Sequence, residues 1–201
     1  MPVFLKHGKS VLFVHIPKAG GTSVERMFQN DGWEMQLHNA RPMYRRCSPQ
    51  HMHGEILAER VNLAYFDAIF GIVREPIARF RSEYAMRVEL TDNTISAKVV
   101  ERWADNKIRQ YQSNNYALDN HLRPQHEFMV PNISIFRFED GLENVPEWLN
   151  ERFDIDITSP IPHSMNSQKR SGRSSREVQI SQKLSAKLKT FYELDFNYFN
   201  Y

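Results

Sequence analysis

One cysteine, Cys47, occurs among 201 residues. No intramolecular disulfide can form, so the fold must rest on its packed core. A reducing, cytoplasmic setting is the matching expectation. Excess charge of one sign is also missing: 26 Lys and Arg stand against 24 Asp and Glu, a net +2. Nucleic-acid binding through bulk positive charge is therefore not expected, and any basic site must be local. Long apolar runs are absent. The longest early one, VLFVHI at residues 11–16, falls far short of the roughly 20 residues of a membrane helix. The opening MPVFLKHGKS lacks the apolar stretch of a signal peptide. There is no internal repeat, low-complexity tract or heptad seam. Present in quantity are hydrophobic residues at 41% and aromatics at 12%. That is enough for a core and excludes wholesale disorder. The length suits one domain over residues 1–201.

VLFVHI is continuous, β-branched and aromatic, and predicts a strand buried on both faces. PKAGG follows as a tight loop. TSVERMFQN predicts a helix with Val24, Met27 and Phe28 on one face and Thr22 or Ser23 as its N-cap. DAIFGIVR predicts a second strand ending at Arg74. Pro76 then suits the first turn of a helix in which Ile77, Phe80, Tyr84 and Val88 recur at helical spacing. Residues 91–115 are polar and helical. NISIFRFED predicts a third strand, leading through Gly141 to a helix over residues 145–153. Residues 158–175 are loop, residues 176–191 a last helix, and an aromatic tail closes the chain. Short buried strands alternating with helices predict an α/β fold with a parallel sheet.

HIPKAGGTS carries the first chemical signal. Gly20 and Gly21 allow close backbone approach to a ligand and an inward turn of N–H groups. The helix start behind them favours an anion. Lys18 adds a full charge, and the Thr22 and Ser23 hydroxyls add donors. Two glycines alone would be read as conformational; Lys before them and Thr-Ser after them favour a phosphate or sulfate site. This is not a Walker A loop, which puts its Lys after the last glycine and directly before Ser or Thr.

IVREPIARFRSEY carries the second. Arg74 stands at the carboxyl end of a predicted strand, where open α/β sheets bind ligands. Ser82 lies about two helical turns further on. Arg74 in a forked contact and Ser82 as a donor could meet on one phosphate. The alternative is that Arg74 pairs with Glu75 and Ser82 is an ordinary helix-surface residue.

Together these strings resemble the sulfotransferases that use 3′-phosphoadenosine 5′-phosphosulfate (PAPS), nearest their carbohydrate-type branch of heparan sulfate 2-O-sulfotransferases and small bacterial enzymes. FVHIPKAGGTS looks like the 5′-phosphosulfate loop, and IVREPIARFRSEY like the 3′-phosphate motif. SPQHMH, NHLRPQ, IFRFED and YELDFNYF agree, so the likeness covers nearly the whole chain. It implies a P-loop-like, three-layer α/β fold with a central parallel sheet flanked by helices. It implies that Lys18, Ala19, Gly20, Gly21, Thr22 and Ser23 hold the phosphosulfate and that Arg74 and Ser82 hold the 3′-phosphate. A basic loop, QKRSGRSSR, would close over the nucleotide with Lys169, Arg170 and Arg173, joined by Arg176. Golgi members of the family carry an anchor and stem not seen here, which points to a bacterial-type cytoplasmic enzyme or to a trimmed chain. The acceptor would be a glycan or another hydroxyl compound.

The resemblance also puts a catalytic base in the pair His51 and His53. A sugar hydroxyl must lose its proton while attacking sulfur, and neutral imidazole suits that task. Residues two apart cannot be ranked without knowing where they point; the Pro-Gln-His context leans towards His51. Lys18 would steady charge on the leaving phosphate. His15 is expected to pack within the first strand, and His121 to touch an acceptor or fix a turn. No dense set of Cys, His and acidic residues completes a zinc shell, so no metal is expected. The competing functions are a P-loop-type kinase or NTPase, which would want Lys after the glycines and a Mg²⁺-binding acid, and a non-catalytic nucleotide-binding module.

Overall fold

The computed structural model describes residues 1–39, 46–162 and 172–201. Strands β1 (Val3–Lys6), β2 (Lys9–Val14), β3 (Glu34–Gln36), β4 (Ala68–Val73) and β5 (Ser134–Arg137) form one sheet in the order β3-β1-β2-β4-β5. The inner pairs are parallel: Val14 lies opposite Gly71, and Val73 opposite Arg137. All six residues of β4 are buried, the burial its continuous apolar run predicts.

The predicted α/β fold with central parallel strands is present, extended by an antiparallel flank of β1 and β3 that the sequence reading omits. Its origin is local. His7 and Gly8 have φ of 50° and 79°, and two successive left-handed residues make the turn that suits a tight hairpin. Phe4 on β1 then stacks on Phe28 at 3.9 Å between centroids.

Helix α1 (Gly21–Asn30) follows β2, and α2 (Gly54–Arg60) precedes β4. After β4 come α3 (Pro76–Arg87) and α4 (Ala97–Ser113). The helix after β5 is α5 (Asn144–Phe153). Pro76 occupies the first turn of α3, as expected, and Glu75 caps it by accepting from the N–H groups of Ile77 and Ala78. Two expectations are corrected. The N-cap of α1 is Gly20, so Thr22 and Ser23 lie inside the first turn. The expected helix over 176–191 is a 3-10 turn, Ser175–Glu177, followed by α6 (Gln182–Phe191), which Ser181 caps. The aromatic tail is itself helical, α7 (Glu193–Tyr198).

Two apolar clusters hold these elements. One fills the space around the sheet, with Phe13, Phe28, Phe70 and Val145. The other joins α3, α4 and α6 through Tyr84, Val100, Ala104, Leu184 and Leu188. Among the described residues, no helix is long and apolar enough to cross a membrane.

Candidate active site

Parallel pairing decides where the site lies. Because β2 and β4 run side by side in one direction, the chains leaving Val14 and Val73 emerge at the same edge of the sheet. The two motifs, 50-odd residues apart in sequence, therefore meet: Arg74 Nη1 donates to the Lys18 carbonyl at 3.3 Å.

The loop after β2 turns through Lys18 and Gly20, with φ of 69° and 95°. No side chain caps the start of α1, and the Ser23 N–H donates to the Gly20 carbonyl at 2.9 Å; an uncapped helix start of this kind favours an anion. Both glycines are also packing requirements. A Cβ on Gly20 would lie 2.9 Å from the Phe138 ring, and one on Gly21 would lie 2.5 Å from the ring of His15. Ala19 and Ser23 are buried and Thr22 is half-buried. The Lys18 ammonium reaches across to α3, 3.3 Å from Met86 Sδ.

Arg74 is fixed at both backbone atoms by Gln125. Its N–H donates to Oε1 at 2.9 Å, and its carbonyl accepts from Nε2 at 2.8 Å. Asp195 on α7 in turn accepts the N–H groups of Gln125 and His126. The guanidinium lies over Phe138, 4.5 Å from the ring centroid. Burial lowers its pKa, and Arg176 is near enough to lower it further, against Glu139 and Glu75. Glu75 is committed to its helix cap rather than paired with Arg74. Ser82 is half-buried on α3.

The 3-10 turn Ser175–Glu177 packs on α3, and Arg81 Nε donates to the Val178 carbonyl at 3.1 Å. Arg173 forms ion pairs with Asp92 and Glu177. Lys169 and Arg170 lie outside the described residues.

The two candidate bases differ sharply. His51 ends the 3-10 turn Pro49–His51, and its Nδ1 lies 2.7 Å from Asp119 Oδ2. Asp119 is itself held by the Ser48 N–H at 2.6 Å and the Ser48 hydroxyl at 2.7 Å. Burial acts to raise the Asp119 pKa, but His51 and Ser48 outweigh it and bring it to about 2. The His51 pKa is lowered, by burial first, against the hydrogen bond it makes to Asp119. A neutral imidazole facing a carboxylate carries its proton on Nδ1, which leaves Nε2 as an acceptor. His53 instead has a buried Nδ1 without a hydrogen-bond partner and an Nε2 3.5 Å from Glu55.

His51 stands between two further imidazoles. Its ring meets His15 at 5.2 Å and His121 at 4.8 Å, edge to face in both cases. His15 is not in the strand, which ends at Val14; it pairs through Nδ1 with Glu25 on α1 at 2.7 Å. His121 pairs through Nδ1 with Glu83 on α3 at 2.6 Å. One member of each pair, and Asp119 beside His51, carried no sequence signal of its own; Asp119 stands one residue before the NHLRPQ string. The sequence reading foresaw no dense donor set, yet among the described residues His51, Asp119 and His121 bring ligand-type atoms within 4.8 Å of one another. That is one donor fewer than a closed tetrahedral site needs. Both Nδ1 atoms are already engaged by carboxylates.

Searches of curated proteins and of solved structures returned no match. A family model described as the sulfotransferase family matches residues 1–201. A strand-loop-helix unit, an arginine at the next parallel strand end and a match across the full length agree on one conclusion: the chain belongs to the sulfotransferase family.

Proposed function

We propose that the protein transfers the sulfuryl group of PAPS to a hydroxyl of an acceptor, a glycan in the first instance, with His51 as general base and without a metal. The observation that carries this is the His51–Asp119 pair at 2.7 Å, in a buried setting that keeps the imidazole neutral. Membership of the family supports sulfuryl transfer in general. The whole chain acts as one catalytic domain in this reading. The buried, unpaired Cys47 supports a reducing, cytoplasmic setting.

Each residue then has a task. The N–H groups at the start of α1, with Lys18, Ala19, Gly20, Gly21, Thr22 and Ser23, cradle the phosphosulfate. Arg74 and Ser82 take the 3′-phosphate, with Arg176 and Arg173 closing from the C-terminal loop together with Lys169 and Arg170. His51 Nε2 accepts the proton of the acceptor hydroxyl as its oxygen bonds to sulfur. The bond from sulfur to the bridging oxygen breaks, and adenosine 3′,5′-bisphosphate leaves. Asp119 faces the imidazolium that forms. Lys18 and the loop N–H groups oppose the charge growing on the departing phosphate. As in phosphoryl transfer, positioning and electrostatics do most of the work.

Incubation with labelled PAPS and a panel of glycans tests this directly. Label should appear on a glycan hydroxyl, with adenosine 3′,5′-bisphosphate as co-product and no dependence on added metal. A thermal shift adds a second test: adenosine 3′,5′-bisphosphate should stabilise the protein more than ATP with Mg²⁺. No transfer to any hydroxyl acceptor, with better stabilisation by ATP and Mg²⁺, would reject the proposal in favour of a kinase or NTPase.

A further inference from the structure

The two imidazoles that flank His51 are tied to the two helices that begin at the donor-binding loops. Glu25, the partner of His15, lies on α1 one turn beyond Gly21. Glu83, the partner of His121, lies on α3 immediately after Ser82. Both bonds are short, 2.7 and 2.6 Å, and both histidines are more than nine-tenths buried. Gln50, the residue before His51, adds a third link: its Nε2 donates to Glu25 Oε1 at 2.7 Å. The His15 ring spans the first turn of α1, touching Gly21 at one end and Glu25 at the other. Each pair sets a carboxylate against a buried imidazole, where an unpaired charge would be costly.

We propose that His15–Glu25 and His121–Glu83 are positioning pairs that set the orientation of His51 according to whether the donor occupies the start of α1 and the turn of α3 that carries Ser82. The proposal rests on His51 being the base. An anion seated on the N–H groups at Gly21 and Thr22 draws on the same helical turn that His15 braces. A phosphate held at Ser82 pulls on the turn that carries Glu83. Small shifts of either helix pass through short, charge-assisted bonds into rings packed edge to face on His51. A packed interior transmits such shifts instead of absorbing them. Donor occupancy thus adjusts the placement of His51 for proton transfer.

The groups facing His51 come from several elements, and each needs a place in the test. They are Asp119 from the loop before His121, His121 itself, His15 after β2, the amino terminus of Met1 ahead of β1, and Glu25 from α1. Asp119 remains intact in every variant, so no loss can be put down to removal of its carboxylate.

The experiment combines two readouts on the full chain. First, Glu25→Gln, Glu83→Gln, His15→Asn and His121→Asn are made in the native and His51→Ala backgrounds. In the native background kcat should fall by about 10²-fold, the scale of a misplaced catalytic group, with KM for PAPS little changed. In the His51→Ala background the same substitutions should cost nothing further, because they act through His51. Second, with ring-labelled histidine, adenosine 3′,5′-bisphosphate should shift the His51 NMR signal in the native protein. The shift should be lost in Glu25→Gln and Glu83→Gln, the near-isosteric variants least able to disturb folding. Equal losses in both backgrounds, a loss confined to KM, or a persisting His51 shift would overturn the proposal. Full turnover by His51→Ala, or failure of the native protein to bind the bisphosphate in calorimetry, would instead remove the functional reading beneath it, and the proposal with it.

Discussion

His15 fills the space that a side chain on Gly21 would need: a Cβ there would lie 2.5 Å from both Cε1 and Nε2 of the ring. The contact joins the start of α1 to the histidine cluster. Gly21→Ala should therefore destabilise the protein by about 1–3 kcal/mol, the usual cost of overpacking. It should also weaken binding of adenosine 3′,5′-bisphosphate. Thermal melts and calorimetry on the same sample check both, and unchanged affinity would separate the loop from the donor.

Lys18 and Arg74 should fail in different ways. Removing the ammonium in Lys18→Ala should lower kcat by about 10²–10³-fold, as for other groups that meet charge developing in the transition state. Arg74→Lys keeps the charge but loses the planar fork and the packing on Phe138. It should chiefly raise KM for PAPS. Steady-state kinetics distinguish the two, and a raised KM alone in Lys18→Ala would deny it the role in leaving-group stabilisation.

Asp119→Asn and His53→Ala separate the candidate bases. Losing the carboxylate beside His51 should cut kcat by about 10²–10⁴-fold, the range of general-base catalysis. His53→Ala should cost much less, because the carboxylate beside His53 Nε2 is the exposed Glu55 at 3.5 Å, not a half-buried, hydrogen-bonded one. The reverse ranking would move the base to His53.

The pH profile follows from the same burial. His51 works when neutral, and burial lowers its pKa below the ordinary 6.5. The acid limb of kcat should therefore have its midpoint below 6.5. A midpoint above that value would contradict a buried, neutral imidazole as the base.

Stability should fall with acid in two stages. His15, His51 and His121 all have pKa values lowered from 6.5, burial being the largest cause in each. Below 6.5 the unfolded chain binds protons that the folded chain refuses, so stability declines as pH falls through that point. Glu83 adds the second stage. Burial acts to raise its pKa, but His121 and Arg87 outweigh it and bring the value to about 2. Its contribution is complete above the ordinary 4.5 and is lost as pH falls towards 2. Melting temperatures from pH 8 to 3 check the order; a flat curve down to 4.5 would deny the buried neutral histidines.

Local pattern made much of this molecule legible. The apolar runs at β2 and β4 predicted strands because only a doubly covered strand is apolar on both faces. Lys18, the glycines and Thr22–Ser23 could be read as an anion loop because donors, close backbone approach and helix start all lie within one short string. His7 and Gly8 hid the first hairpin: its signal is two backbone angles above zero, of which only the glycine is conspicuous in sequence. Thr22 and Ser23 read as caps because hydroxyl residues are favoured there, whereas the turn itself ends on left-handed Gly20.

Sequence by itself determined the strands β2, β4 and β5, the helices that follow them and the family likeness, and marked residues 18–23 as a candidate anion loop, since each depends on residues that are neighbours along the chain. It also named His51 and His53 as a pair. Only the tertiary structure decided that His51 meets Asp119, that Glu25 and Glu83 reach the imidazoles on either side of it, and that Lys18 and Arg74 share one edge. These partners lie 10 to 68 residues apart in the chain. They are brought together by parallel pairing of β2 with β4 and by the burial that makes each unpaired charge too costly to leave alone.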